Sequence, residues 1–193
     1  MAKVAFIFSG QGSQYTGMGK ELYDNFIDCK EIFNNANKAL GLHLAKLCFE
    51  GSQEELNITE VTQPAVLTVS IAAMKALMLE GIKPDVTAGF SLGEYSALVC
   101  SGALDFCEAV DLVRKRGKFM QEAVPLGKGG MTAVLGLDKE KIIDACKSAS
   151  DVGTVEAVNF NCPGQVVIAG ENEALSKANN ILTDLGGKCI PLP

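Results

Sequence analysis

Two short apolar runs separated by long helical patterns characterise the first part of this chain. Val4 to Phe8 is a continuous apolar run that leads into a glycine-rich turn, which is typical of a buried parallel strand. Val86 to Gly89 has the same character. Elsewhere the pattern predicts helices over about 17–26, 29–40, 62–81, 94–100 and 105–122, with a further short helix opened by a capping box at Ser52 and Glu55. Strands that alternate with helices indicate the α/β class.

The helix predicted from Thr62 to Gly81 is apolar on nearly every face, which marks a helix packed in the middle of a domain. Thr62 is the expected N-cap, with Pro64 in the first turn and Gly81 closing the helix. Gln63 is therefore a polar residue at the start of a buried helix, where it either faces a site or satisfies local backbone groups. The apolar run from Pro64 to Leu79 is shorter than a membrane span requires, so no membrane role is expected.

The pattern changes at Pro125. The glycine-rich stretch 126–130 predicts a linker. The pattern then predicts strands at 131–136, 155–159, 165–169 and 188–192, with helices at 139–149 and 173–185 and a turn at 161–164. This βαββαβ order is the ferredoxin-like one and predicts a small domain over 125–193. Two parallel strands do not make a stable sheet alone, so 1–124 is expected to be an incomplete α/β domain.

Composition narrows the class of protein. The chain of 193 residues is 48% hydrophobic and 21% charged, which is enough apolar residues to form a buried hydrophobic core. Its net charge of -6 argues against nucleic-acid binding. The N-terminal apolar run is too short for a signal peptide, so a cytoplasmic protein is expected. Seven cysteines without CxxC spacing predict reduced, mostly buried thiols, and a single histidine makes a metal site unexpected.

The stretch from Gly89 to Gly93 has the pattern G-x-S-x-G between a predicted strand and a predicted helix. In that setting the small residues allow a tight turn that exposes Ser91 as a nucleophile. The backbone N–H of Leu92, at a helix N-terminus, is suited to receive the oxyanion formed when Ser91 is acylated. The alternative is a glycine-flanked serine in an ordinary turn between a strand and a helix.

Three other residues are candidates for the same site. Gln11 lies in a glycine-rich turn after the first strand, which either lends a second N–H to an oxyanion hole, binds phosphate, or has no chemistry. His43 is the only histidine, but its apolar surroundings favour a structural or surface role over catalysis. Arg116 belongs to a cluster with Arg114, Lys115 and Lys118, a pattern that is typical of a solvated basic face. An inward Arg116 would hold the carboxylate of an acyl group with two hydrogen bonds.

Five stretches carry a family resemblance: FIFSGQGSQYTGMGKEL, TQPAVLTVS, AGFSLGEYSALV, RGKFM and NFNCPGQVVIAG. In this order and spacing they resemble the bacterial malonyl-CoA:acyl carrier protein transacylases of fatty acid synthesis, and the acyltransferase domains of polyketide synthases are similar. The resemblance covers the whole chain. It implies an α/β-hydrolase-like large domain with an inserted ferredoxin-like small domain, which agrees with the division at 124 and 125.

The resemblance also implies roles for single residues. Ser91 would take malonyl from malonyl-CoA and pass it to the phosphopantetheine thiol of acyl carrier protein, with no bound cofactor and no metal. The backbone N–H groups of Gln11 and Leu92 would form the oxyanion hole. Arg116 would pair with the malonyl carboxylate. Two polar positions, Gln63 and Asn161, would lie near the substrate.

Two departures from the family pattern stand out. Phe90 occupies a position where many members carry histidine and others an apolar residue. The family's catalytic histidine is expected just beyond Pro193, so this chain would lack its general base. Three alternatives stay open: a serine esterase or thioesterase, a polyketide-type acyltransferase, or an inactive fragment that binds carrier protein through basic residues. Because apolar surface would be exposed, the chain alone is expected to associate or to be poorly soluble.

Overall fold

A computed structural model describes residues 3–125 and 127–192, which divide into two compact units, the first ending at Glu122 and the second beginning at Ala123. Leu126, in the predicted linker, lies outside the described residues. The first unit contains β1 (Ala5–Phe8), α1 (Lys20–Asn25), α2 (Ile27–Leu40), α3 (Leu44–Glu50), α4 (Gln53–Leu56), α5 (Thr59–Leu79), β2 (Val86–Gly89), α6 (Leu92–Cys100) and α7 (Phe106–Ala123).

The two predicted strands of the first unit pair in parallel, with Ala5 opposite Val86 and Phe8 opposite Gly89. Phe6 and Phe8 are buried on one face of this two-stranded sheet. The other face is open, because the side chain of Ile7 is 80% exposed and that of Val86 is 56% exposed. One face of the sheet therefore contributes to the core and the other presents apolar side chains to solvent.

Local capping signals were mostly correct. The capping box is present, with Ser52 N–H donating to Glu55 Oε2 and Glu55 N–H donating to Ser52 Oγ at 2.9 and 3.2 Å. Asp105 accepts hydrogen bonds from two backbone N–H groups in the first turn of α7. α1 begins at Lys20, three residues later than expected, since Gly17 and Gly19 adopt positive φ angles.

The prediction of Thr62 as an N-cap was wrong. The N-cap of α5 is Ile58, and the helix begins at Thr59. Thr62 lies inside the helix, where its hydroxyl donates to the carbonyl oxygens of Leu56 and Ile58. The helix therefore starts one turn early because Thr62 bonds back to preceding carbonyls, and Pro64 is accommodated in the second turn.

α5 is also longer than the apolar run suggested. Its 21 residues are long and apolar enough, by length and composition, to cross a membrane. Half of its most apolar window is buried in the fold, however, and it packs against α2, α3 and α6 around Phe33, Leu44, Leu67 and Leu92. This is the arrangement of a central core helix.

The second unit contains β3 (Gly129–Leu135), α8 (Lys139–Ala149), β4 (Val155–Cys162), β5 (Gln165–Glu171), α9 (Asn172–Asp184) and β6 (Lys188–Leu192). Its antiparallel sheet has the order β4-β5-β3-β6. Both helices pack on the sheet around Val134, Ile142, Ile168 and Leu182. The elements follow the predicted order.

Two boundaries in the second unit differ from the sequence prediction. Gly129 and Gly130, expected in a linker, pair with β5 as the first residues of β3. Asn161, expected in a turn, belongs to β4, which bulges between Phe160 and Cys162 before the chain turns at Gly164. In both places pairing with β5 extends the strand beyond its apolar run.

The thiols are less uniformly buried than their pattern suggested. Cys29, Cys48 and Cys146 are buried, whereas Cys107 and Cys162 are exposed, at the start of α7 and at the end of β4. Burial raises the pKa of the Cys48 thiol to about 12 and that of Cys146 to about 11. No group of three or more potential metal ligands occurs among residues 3–125 and 127–192.

Candidate active site

Ser91 lies at the turn between β2 and α6, where it is the N-cap of the helix. Its backbone has φ 52° and ψ −101°, and it is the only non-glycine residue with a positive φ in the described part of the chain. Such a conformation costs on the order of 1–3 kcal/mol and persists only where the surrounding structure enforces it. Strain at an exposed serine between strand and helix is the geometry of a nucleophile elbow.

The two glycines of the motif are required by backbone contact. A Cβ atom on Gly89 would lie 2.0 Å from the carbonyl oxygen of Gly93. A Cβ atom on Gly93 would lie 2.2 Å from the carbonyl oxygen of Phe8. Any side chain at these positions would therefore separate β1, β2 and α6 and open the turn that holds Ser91.

The glycine-rich turn after β1 packs against the same elbow, since a Cβ atom on Gly10 would lie 2.8 Å from the carbonyl oxygen of Phe90. Within the elbow, the Gly93 N–H donates to the Phe90 carbonyl at 2.8 Å. The backbone N–H groups of Leu92 and Gln11 have no acceptor among the residues described here. Two backbone donors near Ser91 are thus available to a ligand.

Arg116, on α7, reaches the serine. Its Nη2 atom donates to Ser91 Oγ at 3.1 Å, and its Cζ atom lies 5.7 Å from the centre of the Tyr95 ring. Gly117 lets α7 approach α5, because a Cβ atom there would lie 2.6 Å from the Thr59 carbonyl oxygen. Within the described ranges, no carboxylate forms a salt bridge with Arg116.

The neighbouring cations of α7 are arranged differently. Arg114 pairs with Glu60 at 3.0 Å and donates to the Leu40 carbonyl at 2.9 Å. Lys115 pairs with Asp111 at 2.7 Å, and Lys118 lies 3.8 Å from Glu122. Acidic neighbours therefore offset these three charges, and Arg116 differs from them in facing a serine hydroxyl.

Gln63 is fully buried in the second turn of α5. Its Nε2 atom lies 3.2 Å from Met120 Sδ and 3.5 Å from Gln11 Oε1. Gln11 Nε2 in turn donates to Thr59 Oγ1 at 3.4 Å. The Gln63 Oε1 atom is buried with no hydrogen-bond partner in the described structure. The two glutamine side chains thus connect the turn after β1 to α5.

The remaining candidates lie elsewhere. His43 is exposed at the start of α3, beside Lys46 and Glu50, which agrees with a surface role. Asn161 is exposed on β4 of the second unit.

Sequence reasoning missed two residues that line this site, Tyr95 and Met120. A sequence signal existed for Met120, because it follows Arg116 by four positions on α7 and residues four apart share a helix face. Tyr95 lies in the first turn of α6, directly after the predicted serine turn, which placed it near the candidate nucleophile.

A strained serine between a parallel strand and a helix, with free backbone donors and a cation nearby, is an arrangement suited to acyl transfer. The chain belongs to the acyl transferase family: the family model described as "Acyl transferase domain" matches residues 5–184.

Within this family the chain is similar to malonyl CoA-acyl carrier protein transacylases. It is 50% identical to that of Bacillus subtilis over the whole chain and 61% of the relative, and 50% identical to that of Escherichia coli K12, covering 63% of it. The crystal structure of the transacylase from Clostridium perfringens aligns with a TM-score of 0.91 at 50% identity, over the whole chain and 61% of that protein. A structure of a type II polyketide acyl-carrier protein in complex with its malonyl-transacylase also matches, with a TM-score of 0.92 at 47% identity over 99% of this chain and 62% of the matched chain. The mixed α/β fold is thus that of known malonyl transacylases, and the chain spans about three fifths of their length.

Proposed function

We propose that this chain carries the nucleophile and the acyl-binding groups of a malonyl-CoA:acyl carrier protein transacylase of fatty acid synthesis. Ser91 takes the malonyl group from malonyl-CoA and passes it to the phosphopantetheine thiol of acyl carrier protein. The hydrogen bond from Arg116 to Ser91 carries the proposal, since it places an unneutralised guanidinium 3.1 Å from the attacking oxygen. A malonyl group on Ser91 would bring its free carboxylate to this cation.

The transfer proceeds by two acyl exchanges. Ser91 Oγ attacks the thioester carbonyl of malonyl-CoA, the new C–O bond forms, and the negative charge develops on the carbonyl oxygen. The free N–H groups of Leu92 and Gln11 stabilise that oxygen. The C–S bond then breaks, and coenzyme A leaves with the proton that Ser91 gave up. In the second exchange the carrier thiol attacks the malonyl ester and a C–S bond forms. The C–O bond to Ser91 then breaks, and the proton that the carrier thiol gave up is taken by Ser91 Oγ.

The proton requires a base. Arg116 is a permanent cation with donors only, so it cannot accept the proton from Ser91. The family resemblance implies a histidine as this base, and this assignment stays a prediction. His43 is not proposed for the role, because it lies exposed at the start of α3.

Arg116 selects the acyl group. A guanidinium presents donors in a planar fork that matches a carboxylate, and one donor of Arg116 already faces Ser91. Acetyl-CoA and longer acyl thioesters without a carboxylate leave this fork unpaired. Gln63 contributes indirectly by contacting Gln11, and the assignment of Asn161 to the substrate stays a prediction.

The domain organisation proposed for this function is an α/β-hydrolase-like catalytic domain, represented by 1–124, with a ferredoxin-like domain at 125–193 inserted into it. The parallel β1–β2 pair and the strained serine support the first assignment. The antiparallel order β4-β5-β3-β6, within a βαββαβ unit, supports the second. The proposed enzyme acts in the cytoplasm and uses malonyl-CoA as a substrate without a bound cofactor.

Intact-protein mass spectrometry after incubation with malonyl-CoA tests the proposal. A malonyl adduct is expected on the chain, or on a form extended past residue 193, and is expected to be absent from Ser91→Ala. An adduct that survives Ser91→Ala in both forms would overturn the assignment of the nucleophile.

Two matched arginine variants test the selectivity. Arg116→Gln is expected to lower malonyl loading far more than acetyl loading, whereas Arg114→Gln removes the same charge two residues away and is expected to leave the ratio unchanged. Equal handling of malonyl and acetyl thioesters by the unaltered protein would favour a serine esterase or thioesterase instead.

A second candidate is the same transfer in polyketide synthesis, because one of the matching structures is a malonyl-transacylase bound to a type II polyketide acyl-carrier protein. The rates of malonyl transfer to the carrier protein of fatty acid synthesis and to that of polyketide synthesis distinguish the two candidate functions. A much higher rate with the polyketide carrier would assign the chain to that pathway.

A further inference from the structure

We infer that Tyr95 is a positioning residue that holds the Arg116 guanidinium beside Ser91 and thereby sets the preference for acyl groups with a free carboxylate. This inference rests on the proposed function of Ser91 and Arg116.

The geometry places three groups in one small region. Ser91 is the N-cap of α6, and Tyr95 lies in the first turn of that helix, four residues further along the chain. Arg116 extends from α7 so that its Nη2 atom lies 3.1 Å from Ser91 Oγ and its Cζ atom lies 5.7 Å from the Tyr95 ring centre. A cation within about 6 Å of an aromatic ring centre is attracted to the ring face. The guanidinium is therefore held at two points of α6, one turn apart.

The nature of this support matters for substrate binding. A protein carboxylate would hold Arg116 as well, as Glu60 holds Arg114, but it would neutralise the charge and occupy the donors that a malonyl group needs. An aromatic ring attracts the cation without taking any N–H donor. It also restricts a long side chain that otherwise loses considerable rotamer freedom when a ligand binds.

Tyr95 is itself fixed in place. It is half-buried and packs against the core cluster of the first unit, which includes Leu92 and Val110. Its hydroxyl group forms no hydrogen bond among the residues that the structure describes. The ring is therefore the functional part of this side chain, and the hydroxyl is dispensable.

Two other cation and ring pairs occur in the first unit, and they lack this relationship. Lys20 lies over Phe49 at 5.8 Å and also pairs with Asp24, and Lys30 lies over Tyr23 at 5.3 Å. Of these three pairs, only Arg116 with Tyr95 also contacts the candidate nucleophile.

The test compares Tyr95→Phe, which keeps the ring, with Tyr95→Leu, which keeps an apolar side chain without a ring. Loading by malonyl-CoA and by acetyl-CoA is measured for each, on the chain and on a form extended past residue 193. Tyr95→Leu is expected to lose about three- to thirty-fold in malonyl loading, the range of a cation–π contact, with little change for acetyl. Tyr95→Phe is expected to retain both. A loss that is the same for Phe and Leu, or the same for both acyl groups, would overturn the inference.

A spectroscopic measurement tests the position of Arg116 independently of activity. The NMR signal of the Arg116 Nε–H group, assigned by its absence in Arg116→Lys, is expected to carry a ring-current shift in the unaltered chain and in Tyr95→Phe. The shift is expected to vanish in Tyr95→Leu. An unshifted signal in the unaltered chain would overturn the inference even if Tyr95→Leu fails to fold. If the shift is present but Ser91 is never acylated, the proposed function fails while Tyr95 still positions Arg116.

Discussion

Gly93 packs against the backbone of Phe8 so closely that a Cβ atom on the glycine would lie 2.2 Å from the Phe8 carbonyl oxygen. Phe8 ends β1, and Gly93 lies in the first turn of α6, two residues after Ser91. The strand and the helix that hold the candidate nucleophile therefore meet at a backbone contact that leaves no room for a side chain.

Gly93→Ala is expected to reduce the free energy of unfolding by about 3 kcal/mol, because the backbone must move to admit the methyl group. The same movement displaces Ser91, so malonyl loading is expected to be lost as well. Urea unfolding and mass spectrometry measure the two effects. Gly130→Ala is the matched control, since its Cβ atom would meet nothing nearer than 3.5 Å. A Gly93→Ala variant as stable and active as this control would show that the contact is not constraining.

Replacing Gln63 is expected to change the free energy of unfolding and malonyl loading in opposite directions. Among the described residues its Oε1 atom is buried without a partner, and replacing such an amide by an apolar group of similar shape can be neutral or stabilising. Gln63→Met is therefore expected to raise the free energy of unfolding by about 1 kcal/mol. Malonyl loading is expected to fall, because Gln11 loses its contact with Gln63.

Ser96→Ala provides the comparison for this variant. In the part of the chain that the structure describes, Ser96 Oγ is also buried without a partner, but Ser96 forms no hydrogen bond with the Gln11 side chain there. Its removal is expected to stabilise the fold without altering malonyl loading. If both variants lower loading equally, the effect is one of packing rather than of the contact between the two glutamines.

The open face of the β1–β2 sheet predicts how the isolated chain behaves in solution. Ile7 and Val86 are largely exposed on the same face of two paired strands. We expect the 193-residue chain to associate as its concentration rises, and Ile7→Thr combined with Val86→Thr to shift it toward monomer in sedimentation. Ile27→Thr, at an equally exposed position at the start of α2, is expected to leave association unchanged. A monomeric chain with a cooperative melt at all concentrations would contradict this.

Burial of Cys48 predicts a loss of stability at high pH. The thiol has an ordinary pKa of 9.0, and burial raises its pKa to about 12 in the folded chain. Between these values the unfolded chain releases the proton and the folded chain keeps it. The free energy of unfolding is therefore intact below pH 9 and is expected to fall by roughly 1.4 kcal/mol per pH unit above it.

Urea unfolding at several pH values from 8 to about 11 measures this slope. Cys48→Ala is expected to reduce this slope by the contribution of its thiol, while Cys146, whose pKa burial raises to about 11, keeps lowering the free energy of unfolding in the same pH range. Cys107→Ala, which removes an exposed thiol, is expected to keep the slope of the unaltered chain. A slope that does not change in Cys48→Ala would mean that this thiol ionises as readily in the folded chain as in the unfolded one.

Much of the fold could be predicted because its signals are local. The capping box at Ser52, the cap at Asp105 and the alternation of strands and helices after residue 128 depend on near neighbours. Errors arose where other contacts compete with such signals. Thr62 resembled a cap, but it lies inside α5 and donates to the carbonyl oxygens of Leu56 and Ile58 before the helix. Gly129 resembled a linker residue, but it pairs with β5.

The sequence by itself determined the serine turn, because Gly89 and Gly93 can be recognised as the small residues that a tight strand-to-helix turn needs. It also determined that Arg116 and Gln63 were candidates. The four cations of α7 are alike in charge, and before the structure only the family resemblance singled out Arg116 among them; the tertiary structure shows that its side chain faces the serine. The packing of α7 against α5 at Gly117 directs Arg116 toward Ser91 and Tyr95, while Arg114 meets Glu60. Such contacts depend on the angle and separation of two helices, which no local pattern specifies.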